Sequence, residues 1–330
     1  MKVAVVILNW NGKQLLKQFL PSVIRYSEKA SIYVADNDSK DESVEFLKNE
    51  FPEVKIIQNN RNAGYAGGYN LALKSVEEEI LILLNSDVEV TENWLEPIIE
   101  VFEKETQTAA VQPKILDYKK KDHFEYAGAA GGYIDKYGYP FCRGRIFQHL
   151  EEDHGQYNDD QYIFWASGAC LAVRRSAYSE VGGLDEDFFA HQEEIDLCWR
   201  LQNKGYKIKY VSNSRIYHVG GATLQEMNPK KTFFNFRNSL FLLLKNVEGL
   251  KVYLILFIRM LLDGLAGVKF LFEGKFNHFF AILEAHASFY RHFRKMRKKR
   301  PKKFLIGKYY VIPSVVYSHF IRQKNKFSQL

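Results

Sequence analysis

Three carboxylates in the second half of the chain have the arrangement of a candidate acid–base site. Glu193, Glu194 and Asp196 begin a segment whose apolar residues recur with the spacing of an amphipathic helix. Negative charge is favourable at a helix N-terminus, and a carboxylate held there can accept a proton from a substrate. The sequence therefore predicts a helix that begins at these residues, with a catalytic base among them.

A second polar group follows Ile80 to Leu84, an apolar run that is predicted to be a buried strand. Asn85, Ser86 and Asp87 come next, so the Asp87 carboxylate would lie at the end of that strand. Carboxylate and amide oxygens both bind hard divalent cations, and such an ion would make a diphosphate a better leaving group. Turn or helix-capping roles explain the same three residues without a metal.

His218 ends a strand-like stretch and is followed closely by a glycine. A lone histidine is more often a structural hydrogen-bonding residue than a metal ligand. The run from Trp165 to His218 also carries the three carboxylates, and this context favours ligation more than the residue alone does.

The residues before about position 112 alternate short apolar runs with helical periodicity. Strands are predicted at Val3 to Leu8, Ile32 to Ala35, Val54 to Ile57 and Ile80 to Leu84, and helices near residues 14–27, 41–50 and 67–77. This alternation predicts an α/β fold, with a mostly parallel sheet and helices on both faces. Ser39 followed by Glu42 predicts a capping box at the second helix. Residues 113–165 have no clear period and are expected to form loops and short strands over the sheet edge.

The loops after the four predicted strands are all rich in Asn, Asp or Gly. They contain Asn9 to Asn11, Asp36 to Asp38, Asn59 to Gly68 and Asn85 to Asp87. Turn chemistry explains any one of these loops. Because ligands bind beyond the carboxyl ends of parallel strands, four such loops on one edge favour a ligand site.

Motif content argues against several classes of protein. Cys142, Cys170 and Cys198 have no CxxC spacing, which disfavours a disulfide framework or a zinc ribbon and fits a reducing compartment. The chain has no Walker loop, no GxGxxG and no GxSxG elbow. The N-terminal apolar run ends at Leu8 and is too short for a signal-peptide core, so we expect no export.

The C-terminal part differs from the rest in charge and hydropathy. The net charge is +7, but thirteen Lys and Arg from Arg291 onward, with no Asp or Glu, leave the preceding residues at −6. Leu250 to Phe272 is the most apolar stretch, yet its charged residues make it a poor transmembrane candidate and lie within an arc of about 120° on a helix. We predict a catalytic domain over residues 1–228 and a helical, basic, membrane-associated region over residues 229–330.

Two kinds of partner could bind the basic cluster at residues 291–303. A polybasic segment beside an amphipathic helix is typical of proteins that bind anionic lipid, and nucleic acid is the competing partner. No nucleic-acid-binding fold accompanies the cluster, so we expect an anionic membrane surface and no nucleic acid.

Five segments, taken in order along the chain, resemble family 2 glycosyltransferases of the GT-A fold, in particular the rhamnosyltransferase-like branch. They are VVILNWNG at 5–12, VADNDSKDES at 34–43, NNRNAGYAGGYNLAL at 59–73, LLNSDVEV at 83–90 and the run from Trp165 to His218. The resemblance implies an inverting transfer of a sugar from a UDP- or dTDP-sugar to an acceptor hydroxyl. It further implies cell-surface polysaccharide or lipid-linked glycan synthesis at the cytoplasmic face of the membrane.

The resemblance also implies a role for each candidate site residue. Nucleotide binding would involve Asn9, Asn11, Asp36, Asn37, Asn62, Gly67 and Ser86, with Asp36 on the pyrimidine base. Asp87 would hold Mg²⁺ or Mn²⁺, with His218 and Asn85 as further ligands. Glu194, or its neighbour Glu193, would be the catalytic base. Trp165 and Asp196 would contact the acceptor.

Two positions depart from the family's pattern. Asn85 stands where an acidic residue is usual, which removes one charge from the metal site, and Glu193-Glu194 stands where Glu-Asp is common. Two other classes therefore stay open. One is a noncatalytic membrane-bound scaffold of the same fold, and the other is a nucleotidyltransferase, which would release pyrophosphate rather than a nucleoside diphosphate.

Overall fold

Four parallel strands from the first third of the chain form the half of the main sheet that carries the polar loops. The computed structural model describes residues 1–220 and 228–330. The strands are β1 (Val3–Asn9), β2 (Ala30–Asp36), β3 (Lys55–Gln58) and β4 (Ile80–Asn85). β1 pairs in parallel with β2 and β4, and β2 pairs in parallel with β3. The four predicted strands are confirmed, and they are apolar because helices cover both faces of the sheet.

The other half of the main sheet mixes parallel and antiparallel pairs. The remaining strands are β5 (Val88–Val90), β6 (Thr108–Asp117), β7 (Gly132–Ile134), β8 (Pro140–Cys142), β9 (Arg145–Ile146), β10 (His149–Leu150), β11 (Gln161–Ile163), β12 (Cys170–Arg174) and β13 (Lys207–His218). The order in the main sheet is β11-β13-β6-β12-β4-β1-β2-β3, with β5 beside β13. β12 runs antiparallel to β4 and β6, and β13 runs parallel to β6. β7 to β10 form a second sheet, within the segment predicted to be loops and short strands.

Helices flank the main sheet and continue to near the C-terminus. They are α1 (Lys13–Tyr26), α2 (Ser43–Glu50), α3 (Gly64–Ala72), α4 (Glu96–Lys104), α5 (Arg175–Glu180), α6 (Glu193–Gln202), α7 (Pro229–Asn246), α8 (Lys251–Phe272) and α9 (Phe276–Lys298). The three helices predicted before residue 80 are present, although α3 begins and ends earlier than predicted. The helix predicted to begin at the carboxylates is also confirmed, since α6 begins at Glu193.

The predicted capping box at Ser39 is wrong. α2 begins at Ser43, and Glu42 precedes it without a side-chain cap. The Ser39 hydroxyl instead accepts hydrogen bonds from the backbone N–H of Asn11 (2.9 Å) and the side chain of Asn9 (3.3 Å). Ser39 therefore belongs to the loops at the sheet edge, which compete with the helix for its side chain.

Apolar side chains pack on both faces of the main sheet. One cluster contains alternate residues of β1, such as Val5, together with the buried residues of α1 and α4. The opposite cluster contains Val6 of β1, Trp199 of α6 and Leu243 of α7. The hydrophobic core on this second face therefore crosses the predicted domain boundary at residue 228.

Helix α8 exposes one row of apolar residues to solvent and turns its central charges toward the protein. The exposed residues recur every three or four positions and are Leu250, Leu254, Phe257, Leu261, Leu265, Val268 and Phe272. Arg259 and Asp263 are buried and pair at 2.7 Å, Asp263 also lies 3.2 Å from His286 of α9, and Arg259 lies over the ring of Tyr139. The row of exposed apolar residues from Leu250 to Phe272, together with Phe276, Phe280 and Leu283 of α9, makes up what we term the exposed apolar face. No helix in the two described ranges has the length and apolar composition needed to cross a bilayer.

The basic cluster at residues 291–303 divides into structural and exposed side chains. Lys295 pairs with Asp187, Lys299 pairs with Asp185 and Asp187, and Arg300 donates to backbone carbonyls at the end of α7. The other basic residues of the cluster are Arg291, Arg294, Arg297, Lys298, Lys302 and Lys303. These six are exposed and form no ion pair within the described part of the chain. Part of the predicted lipid-binding cluster thus joins α9 to the loop before α6.

Candidate active site

The ends of β1 and β2 bring three predicted nucleotide-binding residues together. Asn9 and Asp36 are paired in register and buried, and the Asn9 amide donates to the Asp36 carboxylate at 3.0 Å. The other Asp36 oxygen accepts the backbone N–H of Ser39 at 3.0 Å. The side chain of Asn11 accepts the backbone N–H of Lys40 at 2.7 Å. These bonds hold the two loops rigidly against each other at the sheet edge.

Asn37 fastens the next loop to this edge. Its amide donates to the Asn62 side chain and to the Gly64 carbonyl, both at 3.1 Å, and its oxygen accepts from Asn59 at 3.2 Å. The protein itself uses most of the hydrogen-bonding capacity of Asn37. Asn37 and Asn62 therefore stabilise the conformation of the loop before α3.

Two positions at this edge require glycine. A Cβ at Gly67 would lie 2.8 Å from the Cβ of Ala63, and one at Gly12 would lie 2.4 Å from the Asn9 side-chain oxygen. That Asn9 oxygen is buried without a hydrogen-bond partner in the described residues. Ser86 is half-buried, with its hydroxyl 3.9 Å from the same position at Gly12. The loops after β1 and β4 are therefore neighbours, as the order of strands predicts.

A second cluster lies where β4 ends and β13 ends. The Nε2 atom of His218 is 3.1 Å from the carboxylate of Asp87 and 3.4 Å from the amide nitrogen of Asn85. The other ring nitrogen, Nδ1, is 3.3 Å from the carboxylate of Glu125. Asp87, Glu125 and His218 are all buried. The structure brings the three predicted metal ligands together and adds Glu125.

Opposite charges offset the cost of burying this cluster. Burial lowers the pKa of His218, but the carboxylates of Glu125 and Asp87 outweigh burial and raise that pKa to about 10. Burial raises the pKa of Asp87, and the His218 ring outweighs it, so the pKa of Asp87 falls below its usual value. The ring of His218 thus lies between two carboxylates.

Sequence analysis missed Glu125 because it lies in the segment without periodicity. The backbone N–H of Glu125 donates to Ile115 of β6 at 3.1 Å, and this pairing places Glu125 beside the end of β13. No motif or spacing links Glu125 to His218. The one local signal is Gly220, where φ is +68° and a Cβ would lie 2.8 Å from the Glu125 carboxylate.

The donor set fits a divalent cation. No group of three or more His, Cys, Asp or Glu in the two described ranges is arranged to hold an ion. Asp87 and His218 do present an oxygen and a nitrogen to each other, with the Asn85 amide alongside. A metal-bound histidine usually donates its second N–H to a carboxylate, which is the position that Glu125 occupies. The residues therefore fit a site with Asp87, His218 and Asn85 as ligands and Glu125 behind the ring.

The carboxylates of α6 follow a loop with an unusual backbone. Phe189, His191 and Gln192 have φ values of 65°, 69° and 69°, a region that non-glycine residues seldom adopt. Glu193 is buried, and one of its carboxyl oxygens has no hydrogen-bond partner in the described residues. Glu194 is half-buried. Neither of these two carboxylates has a basic partner within hydrogen-bonding distance in the described part of the chain.

Burial raises the pKa of both glutamates. For Glu193, burial and then the charge of Glu194 raise the pKa well above its usual value. For Glu194, burial raises the pKa to about 7, and backbone N–H groups at the start of α6 limit the rise. Besides Glu193, titratable groups near Glu194 include Tyr65, Cys142 and Cys198. Glu194 can therefore exchange a proton near neutral pH.

The predicted acceptor contact of Asp196 is wrong. Asp196 is fully buried, and its carboxylate pairs with Lys245 at 2.8 Å and Arg200 at 2.7 Å and accepts from Asn246 at 2.9 Å. Burial raises the pKa of Asp196, but Lys245 and Arg200 outweigh burial and lower it. Asp196 fixes α6 to α7 and has no surface to offer a substrate.

The predicted acceptor contact of Trp165 is wrong for a similar reason. Its side chain is buried, its indole N–H donates to the Tyr133 carbonyl at 2.8 Å, and its ring lies against Gly132. Sequence position alone did not reveal which face this tryptophan occupies. Trp10, in the loop after β1, is the tryptophan exposed at the sheet edge, with 47% of its surface accessible.

The family of the chain follows from a match that covers more than half of its length. The model of the family described as Glycosyl transferase family 2 matches residues 4–182, and the chain belongs to this family. The matched range contains β1 to β4, their polar loops and Asp87. The resemblance drawn from the five sequence segments is therefore confirmed, and the protein is a glycosyltransferase.

Individual relatives agree with this assignment. The chain is 26% identical over 233 residues to N-acetylglucosaminyl-diphospho-decaprenol L-rhamnosyltransferase of Mycobacterium tuberculosis, covering 65% of this chain and 75% of that protein. It is 23% identical over 284 residues to the low-salt glycan biosynthesis hexosyltransferase Agl10 of Haloferax volcanii, covering 84% and 87%. The crystal structure of GalNAc-T7 with UDP, GalNAc and Mn²⁺ matches with a TM-score of 0.53 at 20% identity, over 66% of this chain and 43% of that chain. The predicted GT-A fold is confirmed.

Proposed function

We propose that this glycosyltransferase is inverting and moves a sugar from a UDP- or dTDP-sugar to an acceptor hydroxyl. The observation that carries the proposal is Glu194, a half-buried carboxyl whose pKa of about 7 suits proton transfer at neutral pH. Glu193 is the weaker candidate for the base because it is buried, and burial and the charge of Glu194 raise its pKa. With Glu194 as the base, the proposed reaction is a direct displacement rather than one with a covalent sugar–enzyme intermediate.

The proposed reaction is one concerted displacement. The acceptor oxygen attacks the anomeric carbon of the donor while its proton passes to a Glu194 carboxylate oxygen. The bond from that carbon to the diphosphate breaks, its electron pair leaves with the nucleoside diphosphate, and the configuration inverts. Glu194 then releases the proton to solvent.

The loops after β1 and β2 would bind the nucleotide. Uracil and thymine carry a ring N–H that can donate a hydrogen bond to a carboxylate, and the Asp36 carboxylate would accept it. Its oxygens already accept from Asn9 and Ser39, so the carboxylate is oriented before a ligand arrives. The residues that would shape the rest of this pocket are Asn11, Asn37, Asn62, Gly67 and Ser86.

Asp87, His218 and Asn85 would hold Mg²⁺ or Mn²⁺. When bound, such an ion neutralises charge on a diphosphate leaving group. Glu125 would keep the Nδ1 proton of His218 and so orient the ring for ligation through Nε2. The Mn²⁺ and UDP bound in the GalNAc-T7 structure support this cofactor.

We further infer that the acceptor is part of a lipid-linked glycan or a cell-surface polysaccharide, reached at the cytoplasmic face of the membrane. Large exposed apolar patches mark interaction surfaces, and an apolar helix face flanked by basic residues suits an anionic lipid surface. The exposed apolar face and the six exposed basic residues meet that description. The relative from Mycobacterium tuberculosis, whose name specifies a decaprenol-linked acceptor, supports it.

Vesicle binding tests the membrane proposal. The full chain should sediment with vesicles that contain phosphatidylglycerol and much less with vesicles of phosphatidylcholine alone. Leu261→Glu should weaken binding, because it buries a charge in the lipid, whereas the same change at the exposed Leu150, outside this face, should not. Equal sedimentation of wild type and Leu261→Glu would contradict the proposal.

Nucleotide binding and product analysis test the reaction. A ligand that binds the native state raises the melting temperature, so UDP or dTDP should raise it, and more so with Mn²⁺. GDP and CDP serve as comparison ligands. Turnover of the matching nucleotide-sugar should release a nucleoside diphosphate. Release of pyrophosphate would indicate a nucleotidyltransferase, and the absence of both binding and turnover would indicate the noncatalytic scaffold.

A further inference from the structure

Helix α7 holds the loop that leads into the catalytic carboxylates. The side-chain amide of Asn238 donates to three backbone carbonyls of that loop. They belong to Phe188 (3.0 Å), Ala190 (2.9 Å) and His191 (2.7 Å). Asn238 is fully buried. One side chain of the C-terminal region thus fixes the backbone where Phe189, His191 and Gln192 adopt positive φ.

Arg237 sets the orientation of that amide. Its Nε–H donates to the Asn238 oxygen at 2.9 Å, so the amide N–H groups of Asn238 point at the loop. The Arg237 guanidinium also donates to the carbonyls of Asp187 and Phe188, each at 3.0 Å. Two adjacent residues of α7 therefore engage four backbone carbonyls from residue 187 to residue 191.

The same helix also holds the start and the middle of α6. The Gln192 side chain donates to the Ser239 hydroxyl at 2.9 Å and to the Asn235 carbonyl at 3.1 Å. The buried pair of Lys245 and Asp196 joins the two helices further along. The position of Glu194 relative to the sheet edge is thus set from both sides by α7.

We propose that Asn238 and Arg237 are positioning residues for glycosyl transfer, which hold the Phe188–Gln192 loop so that the Glu194 carboxylate faces the acceptor. This inference rests on the proposed role of Glu194 as the base. Apolar contacts also join α7 to the loop, since Phe188 packs against Phe241 and Phe189 stacks on Phe234. The directional hydrogen bonds to backbone that no regular element satisfies add a fixed geometry that such packing alone does not supply. Residues 229–246 then act in catalysis and not only in membrane attachment.

Asn238→Asp tests the proposal with little change in shape. The aspartate removes the N–H donors and puts a carboxylate beside three carbonyls, so the loop should shift. We expect kcat to fall on the order of 100-fold, the scale on which a displacement of about 1 Å acts, with the donor KM near its wild-type value. The measured reaction is nucleoside diphosphate release by the full chain from the UDP- or dTDP-sugar that wild type turns over, with water as acceptor.

Hydrogen–deuterium exchange supplies a readout independent of turnover. Amides of residues 186–195 should exchange faster in Asn238→Asp, whereas those of β1 and β2 should not change. Asn213→Asp, the same substitution at an exposed side chain of β13, is the matched control and should leave both kcat and exchange unchanged. Arg237→Lys keeps the positive charge but cannot donate both to the Asn238 oxygen and to the carbonyls of Asp187 and Phe188. This variant is measured in place of Asn238→Asp if Asn238→Asp does not fold.

The outcomes separate this inference from the proposed function. Wild-type kcat and unchanged exchange in both α7 variants would overturn the positioning role while leaving the proposed function intact. Faster exchange with a wild-type kcat would also overturn it, because the loop would then be free to move without cost to catalysis. No turnover by wild type would overturn the proposed function instead.

Discussion

The two carboxylate clusters of the molecule treat buried charge in opposite ways. At the end of β4, Asp87 and Glu125 face the ring of His218, and each charge has a partner. At the start of α6, the consecutive residues Glu193 and Glu194 have no basic partner among the described residues, and both pKa values rise. The ring of His218 outweighs burial and lowers the pKa of Asp87, which suits a site that binds a cation. At Glu194, where no opposite charge lies alongside among the described residues, burial raises the pKa, which suits a group that must gain and lose a proton.

Asp196 shows that the second arrangement is not a property of the helix as a whole. It lies on the same helix as Glu194, yet Lys245 and Arg200 lower its pKa. Two carboxylates of α6, only two positions apart, are therefore held in different protonation ranges. The difference arises because Lys245 of α7 and Arg200 of α6 both pair with Asp196, whereas no cation pairs with Glu194 among the described residues.

The strongest test of the comparison is Glu194→Gln. The amide cannot accept a proton, so kcat should fall by about 10²–10⁴-fold, the usual contribution of a general base. Binding of UDP or dTDP, measured by thermal shift, should be retained. Glu77→Gln, at an exposed surface position, is the control. Undiminished turnover would exclude Glu194 as the base.

The next largest effect is expected from Glu125→Gln. The amide keeps the shape of the side chain but removes the charge behind the His218 ring. Loss of such a supporting carboxylate typically weakens metal affinity by about 10–100-fold. Titration of Mn²⁺ in the presence of UDP or dTDP, followed by the melting temperature, measures the change. An unaltered Mn²⁺ dependence would show that Glu125 only balances charge.

The pH dependence of turnover tests the uncompensated cluster. Glu194 must be ionised to act as the base, so kcat should rise with pH and level off above about 7. One unit below that value, only about a tenth of Glu194 is ionised, and kcat should fall about tenfold. Tyr65, Cys142 and Cys198 do not titrate in that range because burial raises the pKa of each. A flat profile between pH 5 and pH 7 would contradict the assignment.

The same pKa shift predicts a cost in stability. The unfolded chain loses the Glu194 proton near pH 4.5 and the folded chain near pH 7, so the free energy of unfolding should decrease as pH rises between these values. Glu194→Gln removes this effect and should stabilise the protein by about 1–3 kcal/mol at pH 8 but not at pH 4. Urea unfolding at both pH values measures the difference. Equal stabilities at pH 8 would mean that Glu194 is better solvated than the structure indicates.

The smallest effect is expected from Glu193→Gln. Burial and the charge of Glu194 raise the pKa of Glu193 and so favour its neutral form, which a neutral amide of similar shape resembles. Both kcat and the melting temperature should stay near the wild-type values at pH 7. A loss comparable to that of Glu194→Gln would reverse the assignment of the two glutamates.

Much of the donor half of the site could be predicted from sequence. Apolar runs revealed β1 to β4, and parallel pairing then required Asn9, Asp36 and Asn85 to meet at one edge. Glu125 could not be predicted, because its place beside His218 depends on a non-local pairing with β6. Local propensity also failed at Ser39, where the contact with Asn9 and Asn11 outweighs the helix cap.

The acceptor half was harder to predict because residue type does not reveal burial. Asp196 and Trp165 have the chemistry of substrate contacts, but both are buried by neighbours far away in sequence. The charges of α8 lie within one arc in the sequence, but its central residues, Arg259 and Asp263, are buried against the protein. Each of these errors concerns which neighbour a side chain meets, which periodicity does not encode.

The hydrophobic core that crosses residue 228 has a consequence for protein engineering. A chimera that joins residues 1–228 of this chain to the C-terminal region of another glycosyltransferase would place a foreign helix against α6. Unless that helix supplied a cation at the position of Lys245, Asp196 would become an unpaired buried charge, a change that typically costs about 3–5 kcal/mol. A productive crossover would therefore have to lie before α6 or after α7, so that both helices come from one parent.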